Sequence, residues 1–98
     1  MTEQIIQKQI LNFLRYNGWF TYKTIMGNKA GIPDIYALYQ GRHIWFEVKK
    51  PQGRMSKIQE YVANEMKKQG AEVYTVKSLV EVKEIINETK RSETNEES

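Results

Sequence analysis

Asp34, Glu47 and Lys49 are the residues of this chain whose types and spacing could do chemistry. They stand in Gly31-Ile32-Pro33-Asp34 and, after a short apolar stretch, in Glu47-Val48-Lys49. Carboxylate oxygens suit hard divalent cations such as Mg²⁺ or Mn²⁺. Such a cation beside a phosphodiester lowers the pKa of a bound water and neutralises charge on the phosphate. Asp34 and Glu47 would each give it one oxygen, and the Val48 carbonyl a third. The Lys49 ammonium would orient the water or stabilise the pentavalent transition state. The competing reading is a surface Glu47–Lys49 salt bridge, with Asp34 merely opening a strand after a proline turn. The Gly-Ile-Pro-Asp context and the apolar Trp45-Phe46 beside Glu47 favour the first.

The hairpin that must position them can be counted. With Gln40 and Gly41 as its two loop residues, Tyr39 faces Arg42, Leu38 faces His43 and Asp34 faces Glu47. Strand alternation then puts Asp34, Glu47 and Lys49 on one face and Ile35, Ala37, Ile44, Phe46 and Val48 on the other, a core face. Two carboxylates opposed across a hairpin repel one another unless a positive charge sits between them.

The remaining elements follow from periodicity and punctuation. Thr2 is a fitting N-cap for a helix over Glu3 to Tyr16, with Ile6, Ile10, Phe13 and Leu14 on one side and Gly18 as its stop. Trp19 to Ile25 reads as strand one, Met26 to Gly31 as a loop, Ile35 to Tyr39 as strand two and His43 to Lys49 as strand three. Ser56-Lys57-Ile58-Gln59 has the form of a capping box. It opens a second helix with Ile58, Tyr61, Val62 and Met66 on one side, and Gly70 ends it. Glu72 to Val76 is strand four. Ser78-Leu79-Val80-Glu81 is another capping box, opening a third helix whose Val82, Ile85 and Ile86 face inward. Strands three and four flank a helix, which implies a right-handed parallel crossover. The fold class is α/β, with a mixed four-stranded sheet and helices on its faces.

Composition bounds the answer further. The 98 residues make one domain, here 1–87, followed by a polar tail at 88–98 expected to be disordered. There is no cysteine, so disulfides and thiolate metal sites are excluded. No apolar run approaches the ~20 residues of a membrane span, and Met1-Thr2-Glu3-Gln4 is no signal peptide. A soluble, cytoplasmic protein is expected. Net charge is +3, and without the tail from Asn87 onward 13 basic side chains face 8 acidic ones, a surplus of +5. That surplus suits a polyanionic partner.

Gly-Ile-Pro-Asp followed by Glu-Val-Lys, inside α-β-β-β-α-β, resembles the PD-(D/E)xK nuclease superfamily. It is most similar to the virus-type replication-repair nuclease (VRR-NUC) branch. The resemblance spans roughly Glu3 to Ile86. It implies a restriction-endonuclease-like αβββαβ core with a C-terminal helix and a Mg²⁺-dependent (or Mn²⁺-dependent) endonuclease acting on DNA. Asp34 and Glu47 take the places of the metal-binding acids and Lys49 that of the lysine. The branch often carries a glutamate on the first helix and a glutamine on the helix after the lysine, here Glu3 and Gln59. For Gln59 the capping box is a second explanation that does not exclude the first. For Glu3, helix-dipole stabilisation is the bland alternative. The resemblance implies a catalytic role for both.

Small members of this branch resemble archaeal-type Holliday junction resolvases, which act as homodimers. The resemblance thus implies a homodimer, branched DNA as substrate, and a phage or repair and recombination setting. The alternative is a non-catalytic or differently targeted nucleic-acid-binding module on the same fold. Lys29, Lys50, Arg54 and Lys57 are candidate phosphate contacts, and Ser56 with the first N–H groups of helix two could hold a phosphate. His43 lies ~13 Å along the strand from Glu47 at ~3.3 Å per residue, too far to share its metal. Trp19, Tyr22, Tyr36, Tyr39 and Trp45 fit either a half-buried sheet or a dimer interface.

Overall fold

The structure is a computed structural model describing residues 1–24 and 29–87. Its elements run α1 (Glu3–Tyr16), β1 (Phe20–Lys23), β2 (Ile35–Tyr39), β3 (Arg42–Val48), α2 (Lys57–Lys68) and β4 (Glu72–Val76). A last helix, α3, covers 79–87. The expected tail at 88–98 and Ile25 at the expected end of strand one lie outside the described residues.

The sheet order is β1-β2-β3-β4, antiparallel at its first two junctions and parallel between β3 and β4. The hairpin closes in the expected register, with Tyr39 opposite Arg42 and Leu38 opposite His43. Gln40 and Gly41 both take positive φ (47° and 84°). That is the backbone a two-residue hairpin loop needs to match strand twist.

Alternation on β2 and β3 sends Ile35, Ala37, Ile44, Phe46 and Val48 to one face, each without solvent exposure. There they join Ile6, Ile10 and Leu14 of α1 with Val76, Val82 and Ile86 in one core. Apart from Ala37, each such buried side chain contributes roughly 1.5–3 kcal/mol. On the opposite face, α2 packs over β4.

Helix ends account for the rest. The Thr2 hydroxyl accepts from the Ile5 N–H at 3.2 Å. At α3 the second capping box is only half formed. Ser78 Oγ accepts from the Glu81 N–H, but the Glu81 carboxylate reaches past Ser78 to the Lys77 N–H, at 2.7 Å. The inward stripe of α2 also differs from expectation. Val62 and Ala63 are buried, whereas Ile58 and Tyr61 are 48% and 60% exposed. Gln59, which reaches Glu47 on β3, forms the inner stripe with Val62, Ala63 and Met66.

Candidate active site

Glu47 enters the interior because it lies between Phe46 and Val48 on a strand covered on both sides; it is 1% exposed. Its Oε1 accepts from Gln59 Nε2 at 3.1 Å and lies 3.6 Å from Lys49 Nζ. Its Oε2 is buried without a hydrogen-bond partner. An enclosed carboxylate so poorly matched is costly to ionise. Burial first, and the neighbouring Asp34 carboxylate second, push its pKa up to about 8, against the pull of Lys49.

Asp34 is fixed from three sides. Its Oδ2 accepts from the Val48 N–H at 2.8 Å. Its carbonyl accepts from the Thr24 N–H at 2.7 Å, and Thr24 Oγ1 donates to the Pro33 carbonyl at 2.6 Å. Thr24 is a positioning residue that motif reasoning passes over. Extending the pairing of Lys23 with Ile35 by one residue would have placed it opposite Asp34. The preceding turn is equally constrained. Gly31 has φ +85°, and a Cβ there would lie 2.9 Å from the Ile58 carbonyl oxygen and 3.0 Å from Val62. The Asp34 loop and α2 therefore touch backbone to backbone.

Gln59 does two jobs. Its Oε1 accepts from the Ser56 N–H at 2.9 Å while Ser56 Oγ accepts from the Gln59 N–H at 3.2 Å, a complete capping box. Its remaining amide hydrogens face Glu47. The cap thus orients the only group hydrogen-bonded to the Glu47 carboxylate among the described residues.

Glu3 meets the chain just past Lys49. Its Oε2 accepts from the Lys50 N–H at 3.3 Å, beside Gly53, tying the start of α1 to the turn after β3. The polar groups of Ser56 are occupied by the cap, and Val48 buries its side chain in the core. Lys29, Lys50, Arg54 and Lys57 are exposed. Lys29 borders a cavity of about 280 Å³ formed with Ile32, Tyr61, Met66 and Ala71. His43 accepts or shares a hydrogen bond with the Tyr36 hydroxyl, a surface role.

The donor set fits a hard divalent cation: two adjacent carboxylates, one with a buried oxygen lacking any partner. Among the described residues no group of three or more His, Cys, Asp or Glu side chains could enclose a metal. The other oxygens would come from main chain, water or substrate, which is how Mg²⁺ is commonly bound.

The order α-β-β-β-α-β around this mixed sheet is a restriction-endonuclease-like architecture. Over 89% of its length the chain matches 97% of a solved structure described as a VRR_NUC domain, with a TM-score of 0.79 and 26% identity. A second solved structure, described as a VRR_NUC domain protein, matches 89% of this chain over 86% of its own, with a TM-score of 0.76 and 20% identity. The fold is thus homologous to the VRR_NUC domain fold at moderate identity over most of the chain. No family model matches the chain, and no curated protein matches it either. Among the described residues no helix is long and apolar enough to cross a membrane.

Proposed function

We propose that the chain is a Mg²⁺- or Mn²⁺-dependent DNA endonuclease of the VRR-NUC type, with residues 1–87 as the nuclease unit. The observation that carries this reading is the Asp34–Glu47 pair. It holds an ionisable group at 1% exposure with an unpartnered oxygen, an arrangement that makes sense once a cation occupies it. The solved structures of similar fold, described as VRR_NUC domains, support it.

Asp34 and Glu47 are the proposed cation ligands, with the Val48 carbonyl as a third oxygen. When bound, the divalent ion supplies an acidified water and charge neutralisation at the phosphate. The Val48 N–H keeps the Asp34 carboxylate turned toward Glu47. Gln59 Nε2 fixes the Glu47 carboxylate. Lys49, whose side chain is 13% exposed, presents a partly desolvated ammonium to the phosphate and offsets charge built up there. Glu3, whose carboxylate meets the Lys50 N–H one residue beyond Lys49, is proposed as a further catalytic residue. Lys29, Lys50, Arg54 and Lys57 contact the DNA backbone without reading sequence.

Branched DNA cut by a homodimer, in the manner of an archaeal-type Holliday junction resolvase, is the finer proposal. It rests on resemblance. The experiment is Mg²⁺-dependent cleavage of a panel of four-way junction, flap, single strand and duplex, with Glu47→Ala and Lys49→Ala alongside. Cleavage by the wild type and its loss in both variants is expected. Intact DNA in every lane, with binding retained, would instead make the chain a non-catalytic nucleic-acid-binding module.

A further inference from the structure

The sheet carries a row of rings that the core does not use. The alternation that sends Ile35, Ala37, Ile44 and Phe46 inward sends Tyr22, Tyr36, His43 and Trp45 the other way. Tyr22 pairs with Tyr36, and Tyr36 with Trp45. Their rings touch, with centroids 5.5 and 4.7 Å apart, and Phe20 extends the row at 5.9 Å from Tyr22. Among the described residues no helix lies over them, since α1 packs on the core face and α2 over β4. Tyr22 is 44% and Phe20 62% exposed. Tyr36 and Trp45 are half-buried, and His43 is exposed. A contiguous, partly exposed aromatic surface of this kind is a candidate interaction site.

The row is continuous with the carboxylate pair. Asp34 and Tyr36 are two residues apart on one strand edge, and Glu47 and Trp45 two apart on the next. The ring pair therefore follows the carboxylate pair by ~6.6 Å, one strand repeat. A strand whose phosphate sits at Asp34 and Glu47 would lay its neighbouring base over Tyr36 and Trp45. Charge agrees with this. The side chains sharing that face of β1–β3 are Phe20, Tyr22, Tyr36, Leu38, His43 and Trp45, with no acid beyond the pair itself. Away from the pair, an anionic backbone meets no acidic side chain on that face. The phenol hydroxyls and His43 keep the surface compatible with a wet ligand, and every base has a π-face for such rings to take.

We propose that this ring row is a docking surface for unpaired bases of single-stranded DNA next to the scissile phosphate. The substrate would then be DNA with an unpaired stretch at its cleavage point. The inference rests on the proposed function for the placement of the phosphate, and its test is kept separate from cleavage.

The chain has two tryptophans, and Trp19→Phe leaves Trp45 as the sole reporter. Short oligo-dT and a blunt duplex are titrated into this protein without divalent cation, so that nothing is cut. Oligo-dT is expected to quench Trp45 emission more than duplex does. In the otherwise wild-type chain, Trp45→Leu and the more exposed Tyr22→Leu keep an apolar surface but lose the ring. Trp45→Leu should lower oligo-dT affinity roughly tenfold relative to duplex, and Tyr22→Leu less, with melting curves confirming folded protein. Oligo-dT binding without quenching, or unchanged affinity in both leucine variants, would overturn the proposal. So would a dimer that Tyr22→Arg converts to monomer while oligo-dT fails to quench; the face would then join two copies of the chain. Stacking without any Mg²⁺-dependent cleavage would defeat the proposed function alone, and cleavage without quenching would defeat this inference alone.

Discussion

Strand β3 begins and nearly ends in charged clusters of opposite character. At its start Arg42 meets Glu72 through two bonds of 2.8 Å, and the Tyr74 hydroxyl donates to the same carboxylate at 2.8 Å. The forked pairing holds Glu72 below the usual carboxylate range and Arg42 above its ordinary value. Near the strand's end Glu47 has a single hydrogen bond from Gln59, a lysine at 3.6 Å, a second carboxylate beside it and one oxygen with no partner. The first cluster is complete as it stands and needs nothing further. The second leaves a buried oxygen unpaired beside another carboxylate, the kind of perturbed group that functional sites concentrate.

The largest way to break the comparison is kinetic. Glu47→Ala should lower Mg²⁺-dependent DNA cleavage by on the order of 100-fold or more, while Glu72→Ala leaves the rate near that of wild type. Equal losses in the two variants would mean that the clusters do not differ in role.

Next is a stability effect with a definite sign. Glu47 has a folded pKa raised from 4.5 to about 8. Its contribution is fully present below the unfolded value and is lost as pH rises through the folded one. Metal-free protein should therefore lose stability between about pH 4.5 and about pH 8. Glu47→Gln, which keeps an acceptor for Gln59 but cannot ionise, should be more stable than wild type above that window by a few kcal/mol. Denaturant melts at both ends of the window check it; a variant less stable at high pH would contradict the assignment.

Gly31→Ala tests how firmly the site is held. The added methyl would sit 2.9 Å from the Ile58 carbonyl oxygen at φ +85°. A cost of about 2 kcal/mol is expected, with reduced cleavage because the Asp34 loop must withdraw from α2. A neutral result in both would show that the contact yields without consequence.

The smallest effect belongs to the satisfied cluster. The side chains of Arg42 and Glu72 are 21% and 35% exposed, so solvent screens the pair. Glu72→Gln should cost about 1 kcal/mol or less. Because the Glu72 pKa is lowered, its contribution is present above the unfolded value and lost as pH falls, opposite to Glu47. Melts of Glu72→Gln and wild type should therefore converge in acid.

The sequence pattern carried the hairpin further than the helices. Gln40-Gly41 set the register, and the register alone put Asp34 opposite Glu47 and the five core residues on the far face. The capping-box spacing located the start of α2 and brought Gln59 into view. The inner stripe of α2 was not legible, because Ile58, Tyr61, Val62, Ala63 and Met66 offer two apolar stripes one residue apart. In the structure it is Val62 and Ala63 that are buried, with Gln59 beside Glu47. Nor could spacing show that the Glu3 carboxylate meets the Lys50 N–H, 47 positions away, or that Glu81 would bypass Ser78 for Lys77. These depend on which loop lies beside which helix end. The depth of Glu47 was hinted at by Trp45-Phe46, but its burial comes from α2 closing over β4, a tertiary event.

The central claim is that Asp34 and Glu47 form a cation site. The most direct measurement is the melting temperature of wild type and Glu47→Gln with and without Mg²⁺, near pH 8 and near pH 5. Binding to the folded state alone raises the melting temperature, and protons compete with the cation for Glu47. The account predicts a Mg²⁺-dependent rise in wild type that is larger near pH 8 and is absent or much reduced in Glu47→Gln. Equal rises in the two proteins, or no rise in wild type even at saturating Mg²⁺, would contradict it.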